Sequence, residues 1–515
     1  MSYTSFKERF DIKLNKQQEE AVQAIKGSVL LLAVPGSGKT TVLISRLGYM
    51  IFECSISPEN ILTITYTDAA TKDMKRRFKD KFGEEYADRI EFRTINGISQ
   101  KILMYYGRLI GQKPFDIIEK RIQASLFKNI YKHVTNKFAT EGDIKNIETG
   151  VNYVKNMRLS SEEIFNFKID VEKFPEIYKL YQSELRRMKL MDYDDQMVYA
   201  LLILKKSPDV LEHFRKKYKY ICVDEAQDTS KIQHDLIELL AGEDGNLFMV
   251  GDEDQSIFGF RAAYPEALVS FEKRRKDAKV LLMELNYRSN EEIVVAADKL
   301  IQDNTKRHEK KMTATCPSGG ILRQIDVKSR KAQYSYLLKV ARDCDKETAI
   351  LYRNNESALP LIDAFERENI SYKMKSRDMT FFTHPVVNDI SDFIRLALNP
   401  YDEDAFMNIY YKMGAGISKV NAVKAVEMNR RKKPLIELIC DLNVSPFTKK
   451  QCRSLATHFI NMTSENAGKA VYRILNYMGY SSYMEEHGMD SLKAEIVQLL
   501  ANQEENLDEF LPHLE

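Results

Sequence analysis

The chain has 515 residues, of which 44% are apolar and 30% charged, a composition that fits globular domains and excludes collagenous and disordered classes. Its net charge of +2 does not mark the whole molecule as a polyanion binder, so any nucleic-acid contact rests on local patches. The six cysteines (Cys54, Cys222, Cys316, Cys344, Cys440, Cys452) form no CxxC pair and the eight histidines are scattered. This argues against a disulfide framework or zinc site and fits a reducing cytoplasm, with no signal peptide, membrane span or internal repeat expected.

In chain order, residues 29–32 are a continuous apolar run, the mark of a strand buried on both faces of a parallel sheet. They lead into Ala33-Val34-Pro35-Gly36-Ser37-Gly38-Lys39-Thr40 and then a helical pattern with Val42, Leu43, Leu47 and Met50 on its apolar side. Strand, glycine-bearing loop and helix read as a phosphate loop. Loop N–H groups and the helix N-terminus cradle phosphates, Lys39 reaches the β/γ oxygens and Thr40 ligates Mg²⁺.

Residues 61–65 form a second apolar run, followed by Tyr66-Thr67-Asp68 and a helix with Ala70, Met74, Phe78 and Phe82 on one face. Lys72, Lys75, Arg76, Arg77, Lys79 and Lys81 fall largely off that stripe, as solvated surface usually does. Residues 107–187 carry apolar residues at helical spacing with few turn signals and read as an all-helical insertion. The run 220–223 then ends in Asp224-Glu225-Ala226-Gln227-Asp228. An apolar strand ending in Asp-Glu suits a nucleotide hydrolase: the first carboxylate holds Mg²⁺ and the second polarises the attacking water. The following Gln-Asp places two more polar groups where the nucleotide pocket could couple to something else.

Further strands are expected at 247–250, 280–285 and 349–352, each ending in a polar cluster, so that the carboxyl ends share a crevice. Residues 389–515 read as mostly helical, with breaks at Asn399-Pro400, Gly414-Ala415-Gly416, Lys433-Pro434 and Gly479, and a loop is expected at 313–320.

Taken together, these runs resemble the UvrD/Rep-type superfamily 1 DNA helicases over nearly the whole length. Leu14-Asn15-Lys16-Gln17-Gln18 resembles the adenine-reading glutamine motif, with Gln18 as reader. Residues 33–40 resemble motif I, which implies nucleotide contacts from Ala33, Gly36, Ser37, Gly38, Lys39, Thr40 and Thr41. Thr65-Tyr66-Thr67-Asp68-Ala69-Ala70 resembles motif Ia, with Tyr66 for the usual Phe and Asp68 for the usual Asn. Thr94-Ile95-Asn96-Gly97 stands where motif Ib is expected, with Asn96-Gly97 in place of His-Ser. Met191-Asp192-Tyr193-Asp194-Asp195 resembles the family's acidic stretch before motif II. By resemblance, Asp224 binds Mg²⁺ and Glu225 is the base; Gln255 senses the γ-phosphate, Phe260 stacks on a base and Arg261 links the two; Tyr287 stacks on adenine and Arg288 contacts the γ-phosphate. DNA contacts are implied for Tyr66, Thr67, Asp68, Thr94, Phe260 and Arg261.

The resemblance implies an α/β fold: a RecA-like P-loop NTPase parallel sheet with helical insertions, a partial second RecA-like domain (2A) and a helical 2B-like insertion. The boundaries it suggests are 1–95 and 191–284 for domain 1A, 96–190 for insertion 1B, 285–383 for the first part of 2A, and 384–515 for an incomplete 2B-like domain. Motifs V and VI are not found, so the family's C-terminal part is expected to be missing: a further segment or a partner chain supplies it, or the remnant folds back and needs neither. The implied activity is ATP- and Mg²⁺-dependent 3′→5′ translocation and unwinding on single-stranded or partly duplex DNA, in repair or replication, in the cytoplasm and without a membrane. The alternative is a catalytically incomplete, ATP-gated DNA- or protein-binding module. Nonspecific single-strand binding needs exposed aromatics with basic groups, since every base has a face to stack on. An aromatic taken alone is more often core, and only motif position reverses this for Phe260 and Tyr66; the chain has no tryptophan. The basic runs Arg215-Lys216-Lys217, Lys273-Arg274-Arg275-Lys276 and Arg430-Arg431-Lys432-Lys433 are more often surface than DNA contact. Other phosphate-loop classes fit worse, with no Asn-Lys-x-Asp and no Leu-Ser-Gly-Gly-Gln.

Overall fold

The computed structural model describes residues 3–259, 262–275, 277–374 and 381–514. Contacts divide the chain into two units, residues 1–139 with 143–323, and residues 140–142 with 324–515.

The first unit is built on one sheet of six strands: β1 (Ser28–Ala33), β2 (Ile61–Thr65), β3 (Glu91–Thr94), β4 (Tyr220–Val223), β5 (Asn246–Gly251) and β6 (Lys279–Met283). Their spatial order is β3-β2-β4-β5-β1-β6 and every pair is parallel. Side chains alternate between the two faces, so each strand feeds two cores. Val29, Leu31, Cys222, Phe248 and Val250 pack with Val22, Leu43, Leu47, Met74 and Phe78 on one face. Leu30, Leu32, Ile64, Val223 and Met249 pack with Ile98, Ile102, Leu204, Leu236 and Ile237 on the other. Covering both faces with helices is what makes these strands read as unbroken apolar runs.

One strand is absent from the expectations and one expectation needs correction. β3 carries only one buried residue, Phe92, because it is an edge strand; its polar composition hid it. Residues 349–352, expected as a strand, are not in one, and Leu351 is 93% exposed. A strand exists only through a laddered neighbour, and no described residues pair with this run. The 280–285 run divides: β6 ends at Met283, and Leu285–Asn286 pairs separately, in parallel, with Thr313–Ala314.

The stretch 107–187 is helical as expected, with helices Lys120–Thr135, Glu141–Met157 and Phe174–Met188 around Phe127, Val151, Phe174 and Tyr181. Its one strand pairing is Asp116–Ile117 with Leu190–Met191. The acidic stretch that follows has a structural use. Asp192 caps the helix Tyr193–Lys206, and the buried Lys155 lies 2.8 Å from Asp195 and also pairs with Asp192.

In the second unit, helices including Pro385–Leu398, Pro446–Ser464, Ala467–Tyr477, Ser491–Ala501 and Leu507–Leu514 surround Val386, Ile390, Phe393, Phe406 and Val471. The expected breaks fall between helices: Asn399 and Pro434 stand at helix ends, and Gly414, Gly416 and Gly479 take positive φ. Among the described residues, no helix is long and apolar enough to cross a membrane.

Candidate active site

The polar segments that interrupted the apolar runs collect at the carboxyl ends of the strands, where open α/β sheets bind ligands. After β1 the ladder continues for one bond, Val34 N–H donating to Met283 O at 3.0 Å, before the chain turns. Gly36 and Gly38 take φ of +72° and +86°, a region that costs other residues about 1–2 kcal/mol. The loop is also tight: a Cβ on Gly36 would stand 2.9 Å from both Arg288 Cβ and Asn286 Oδ1. The helix Lys39–Phe52 starts at Gly38 with no side-chain cap, leaving its first N–H groups for an anion. Ser37 is buried and spends its hydroxyl on Val34 O at 2.7 Å, bracing the turn. Ala33 is buried at the strand end, whereas Thr40 is half-buried and Thr41 exposed at the start of the helix.

Gln18 is buried beside the loop. Its Oε1 accepts from Asn15 N (3.0 Å) and its Nε2 donates to Ser37 O (2.9 Å), leaving one amide hydrogen. A cavity of about 740 Å³ opens here, lined by Lys7, Ile12, Lys13, Leu14, Asn15, Gln18, Gly36, Gly38, Thr41 and Tyr287. Tyr287 is partly exposed on its rim; its hydroxyl accepts from Asn15 Nδ2 at 2.7 Å and its N–H donates to Gly36 O at 3.0 Å. Arg288 follows, its N–H donating to Asn286 Oδ1 at 2.8 Å.

At the end of β4, Asp224 is still in the sheet, its N–H donating to Ile64 O at 2.9 Å. Burial, reinforced by the adjacent Glu225 and opposed by Lys39, pushes its carboxyl up to about 6. Oδ1 accepts from Glu225 N at 3.1 Å, and Oδ2 takes no hydrogen bond from the described residues. Glu225 itself sits at φ +48°. Burial raises its carboxyl, but the Lys39 charge and the Gln227 amide outweigh this and leave it below the usual range. Lys39 Nζ lies 2.8 Å and Gln227 Nε2 2.7 Å from the same oxygen, Oε2.

Gln227 extends this contact into the next strand. It is 2% exposed, and its Oε1 accepts from Asp252 N at 3.0 Å, just past β5. Asp252 in turn accepts from Gln255 Nε2 at 2.7 Å. A Cβ on Gly251 would lie 2.8 Å from Gln227 Oε1, so the side chain fills the space glycine leaves. One hydrogen-bonded chain therefore runs Lys39, Glu225, Gln227, Asp252, Gln255. The sequence showed Gln227 only as a polar residue after the carboxylates; its double role needs the two strands side by side.

Among the residues with expected DNA contacts, Tyr66 is half-buried and its ring stacks on Phe258, centroids 6.0 Å apart at 17°. Phe258 was not singled out from the sequence, although an aromatic inside the 251–262 run is the signal for it. Thr67 and Thr94 use their hydroxyls as helix N-caps, accepting from Ala70 N (3.1 Å) and Gly97 N (3.2 Å), and Asp68 opens the helix that Thr67 caps. Phe260 and Arg261 lie outside the described residues. Four basic residues of that helix are paired locally, Arg76 and Arg77 with Asp73, Lys75 with Asp88 and Lys79 with Glu84.

A parallel sheet ending in an uncapped glycine loop and a lysine, with an Asp-Glu pair at the end of the next strand but one, defines a RecA-like phosphate-loop NTPase. Residues 14–276 match the family model described as UvrD/REP helicase N-terminal domain, and residues 281–507 match UvrD-like helicase C-terminal domain. The chain belongs to the UvrD/REP helicase family. It is 30% identical over 517 aligned residues to the ATP-dependent DNA helicase PcrA of Staphylococcus epidermidis strain RP62A, covering 97% of this chain and 69% of the relative. With PcrA of Staphylococcus aureus strain Mu50 the figures are 29% over 516 residues, 97% and 69%. The C-terminal match overturns the expectation that the family's C-terminal part is missing, to be supplied by a further segment or a partner chain. Short polar motifs were a poor guide there, because the second unit is specified by apolar helix faces spread over more than a hundred residues.

Proposed function

We propose that this chain is an ATP-dependent DNA helicase that couples hydrolysis to 3′→5′ movement along single-stranded DNA, acting in the cytoplasm in repair or replication. The observation that carries the reading is the single hydrogen-bonded chain from Lys39 through Glu225, Gln227 and Asp252 to Gln255. It joins the phosphate loop to the turn that precedes Phe258, the partner of Tyr66.

In this reading the 740 Å³ cavity takes the nucleoside, with Tyr287 against the base and the remaining Gln18 hydrogen toward its edge. Loop N–H groups from Gly36 to Thr41 and Lys39 Nζ hold the phosphates. Asp224, buried with Oδ2 open, and the Thr40 hydroxyl would hold Mg²⁺, a hard cation suited to a carboxylate and hydroxyl donor set. When bound, the metal neutralises phosphate charge. Glu225, kept ionised by Lys39 and Gln227, accepts a proton from the attacking water. Gln255 and Arg288 face the γ-phosphate, and the Tyr66–Phe258 pair offers bases a stacking surface. Residues 1–95 and 191–284 form the motor domain, 96–190 its helical insertion, and 285–383 and 384–515 the second motor segment and a 2B-like domain.

The test is steady-state ATP hydrolysis with and without single-stranded DNA, beside Glu225→Gln. DNA-stimulated turnover should fall by about 10²- to 10⁴-fold in the variant while nucleotide binding persists. Unchanged turnover sinks the assignment of the base. ATP binding without DNA-stimulated turnover in the unmodified chain replaces the motor with a nucleotide-gated binding module.

A further inference from the structure

The turn that carries Gln255 contains Asp252, Glu253 and Asp254 in succession, and the first two are almost wholly buried. Consecutive carboxylates removed from water repel one another and lose hydration, so a fold that keeps them must supply cations. It supplies them from a segment some fifty residues later. Lys310 Nζ lies 2.7 Å from Asp252, 2.9 Å from Glu253 and 3.1 Å from Asp254, with its side chain 1% exposed. Arg307 reaches Asp254 at 2.8 Å, Asn304 Nδ2 donates to Asp254 at 3.0 Å, and His308 N–H donates to Glu253 at 2.7 Å.

The same segment then enters the short pairing beside the other γ-phosphate candidate. Thr313 N–H donates to Glu284 O and Thr315 N–H to Asn286 O, both at 2.9 Å. Asn286 Oδ1 in turn accepts from Arg288 N at 2.8 Å. Residues 304–315 therefore touch the supports of Gln255 at one end and of Arg288 at the other.

We propose that Lys310 is a positioning residue for hydrolysis: it fixes Asp252, which orients the Gln255 amide. This rests on the reading of Gln255 as the γ-phosphate sensor. Asp252 divides its oxygens accordingly, Oδ2 to Gln255 and Oδ1 to Lys310. Without the lysine charge, the crowded carboxylates move apart and the Gln255 amide loses its fixed partner.

The experiment is DNA-stimulated ATP hydrolysis by the full chain carrying Lys310→Met, Gln255→Ala or both, with melting curves to establish folding. Lys310→Met should lower kcat about 10- to 100-fold, the usual effect of losing an outer support, with KM for ATP within about 3-fold. Added to Gln255→Ala, it should lower kcat by less than about 2-fold more, because a residue acting through Gln255 has nothing left to position. A folded Lys310→Met protein with kcat within about 3-fold of the parent, or a full further loss in the Gln255→Ala background, overturns the proposal. If Lys310→Met does not fold, Lys310→Gln, which keeps a donor but no charge, is held to the same limits. Gln255→Ala with undiminished kcat removes the sensor reading and this proposal together, whereas a low Gln255→Ala with a normal Lys310→Met removes only the latter.

Discussion

Among the described residues, Gln227 is the one side chain that bonds both to the proposed base and to the turn behind the proposed DNA surface, so its removal tests whether the two are coupled. Gln227→Ala deletes the amide that donates to Glu225 Oε2 at 2.7 Å and accepts from Asp252 N at 3.0 Å. A hydrogen bond to an ionised carboxylate contributes about 1.5–3 kcal/mol, and an orphaned buried N–H costs about 1–3 kcal/mol. Most of this falls equally on ground and transition states. If about 1.4–2.7 kcal/mol is felt only in the transition state, kcat drops about 10- to 100-fold. Lys39 and the phosphate loop are untouched, so KM for ATP should stay within about 3-fold. The assay is ATP hydrolysis with and without single-stranded DNA, and the decisive quantity is the ratio of the two rates. It should collapse toward unity in Gln227→Ala. Gln227→Glu keeps the shape but sets a carboxylate against Glu225, and should lose the ratio as well. A folded Gln227→Ala protein that retains full DNA stimulation refutes the coupling route.

Two further outcomes follow from the geometry. Gly36→Ala places a Cβ 2.9 Å from Arg288 Cβ at φ +72°; nucleotide affinity, read by titration with a fluorescent ATP analogue, should fall at least about 10-fold, and unchanged affinity would remove the loop from the site. His234 is buried, its Nε2 against the Thr229 hydroxyl, and burial with the nearby Arg274 charge pushes it down to about 3. A depressed base stabilises the fold above its ordinary range near 6.5, and that contribution is lost as the pH falls toward 3, at up to about 1.4 kcal/mol per pH unit. Asp224 and Asp228, both pushed up to about 6, act oppositely, their contribution being lost as the pH rises through 6. Denaturant unfolding between pH 7 and 5, compared with His234→Gln, isolates the histidine: the variant should lose less stability on acidification, and parallel curves would refute the assignment.

The buried strands, the phosphate loop, the Asp-Glu pair and the helical character of 107–187 were all legible, because each is fixed by local pattern. An apolar run with glycine and lysine after it has few other uses, and residues 29–32 and 61–65 fall within observed strands. Edge strand β3 was not legible, since a half-covered strand needs few apolar residues. The expected strand at 349–352 failed for the complementary reason: apolar composition creates a tendency to pair, but only a neighbour supplies the bonds.

The sequence by itself determined the class of chemistry, through residue types at fixed short spacings: Gly36, Gly38, Lys39 and Thr40 within one loop, Asp224 and Glu225 at one strand end. The tertiary structure decided how those groups are wired. Gln227 reaches Asp252 only because β4 and β5 are adjacent and in register, with Val223 paired to Met249. Lys310 meets the carboxylates of 252–254 only because a distant segment folds back upon them. Hydrogen bonds and ion pairs act over about 3 Å, so partners far apart in the chain are chosen by the packing that brings them together.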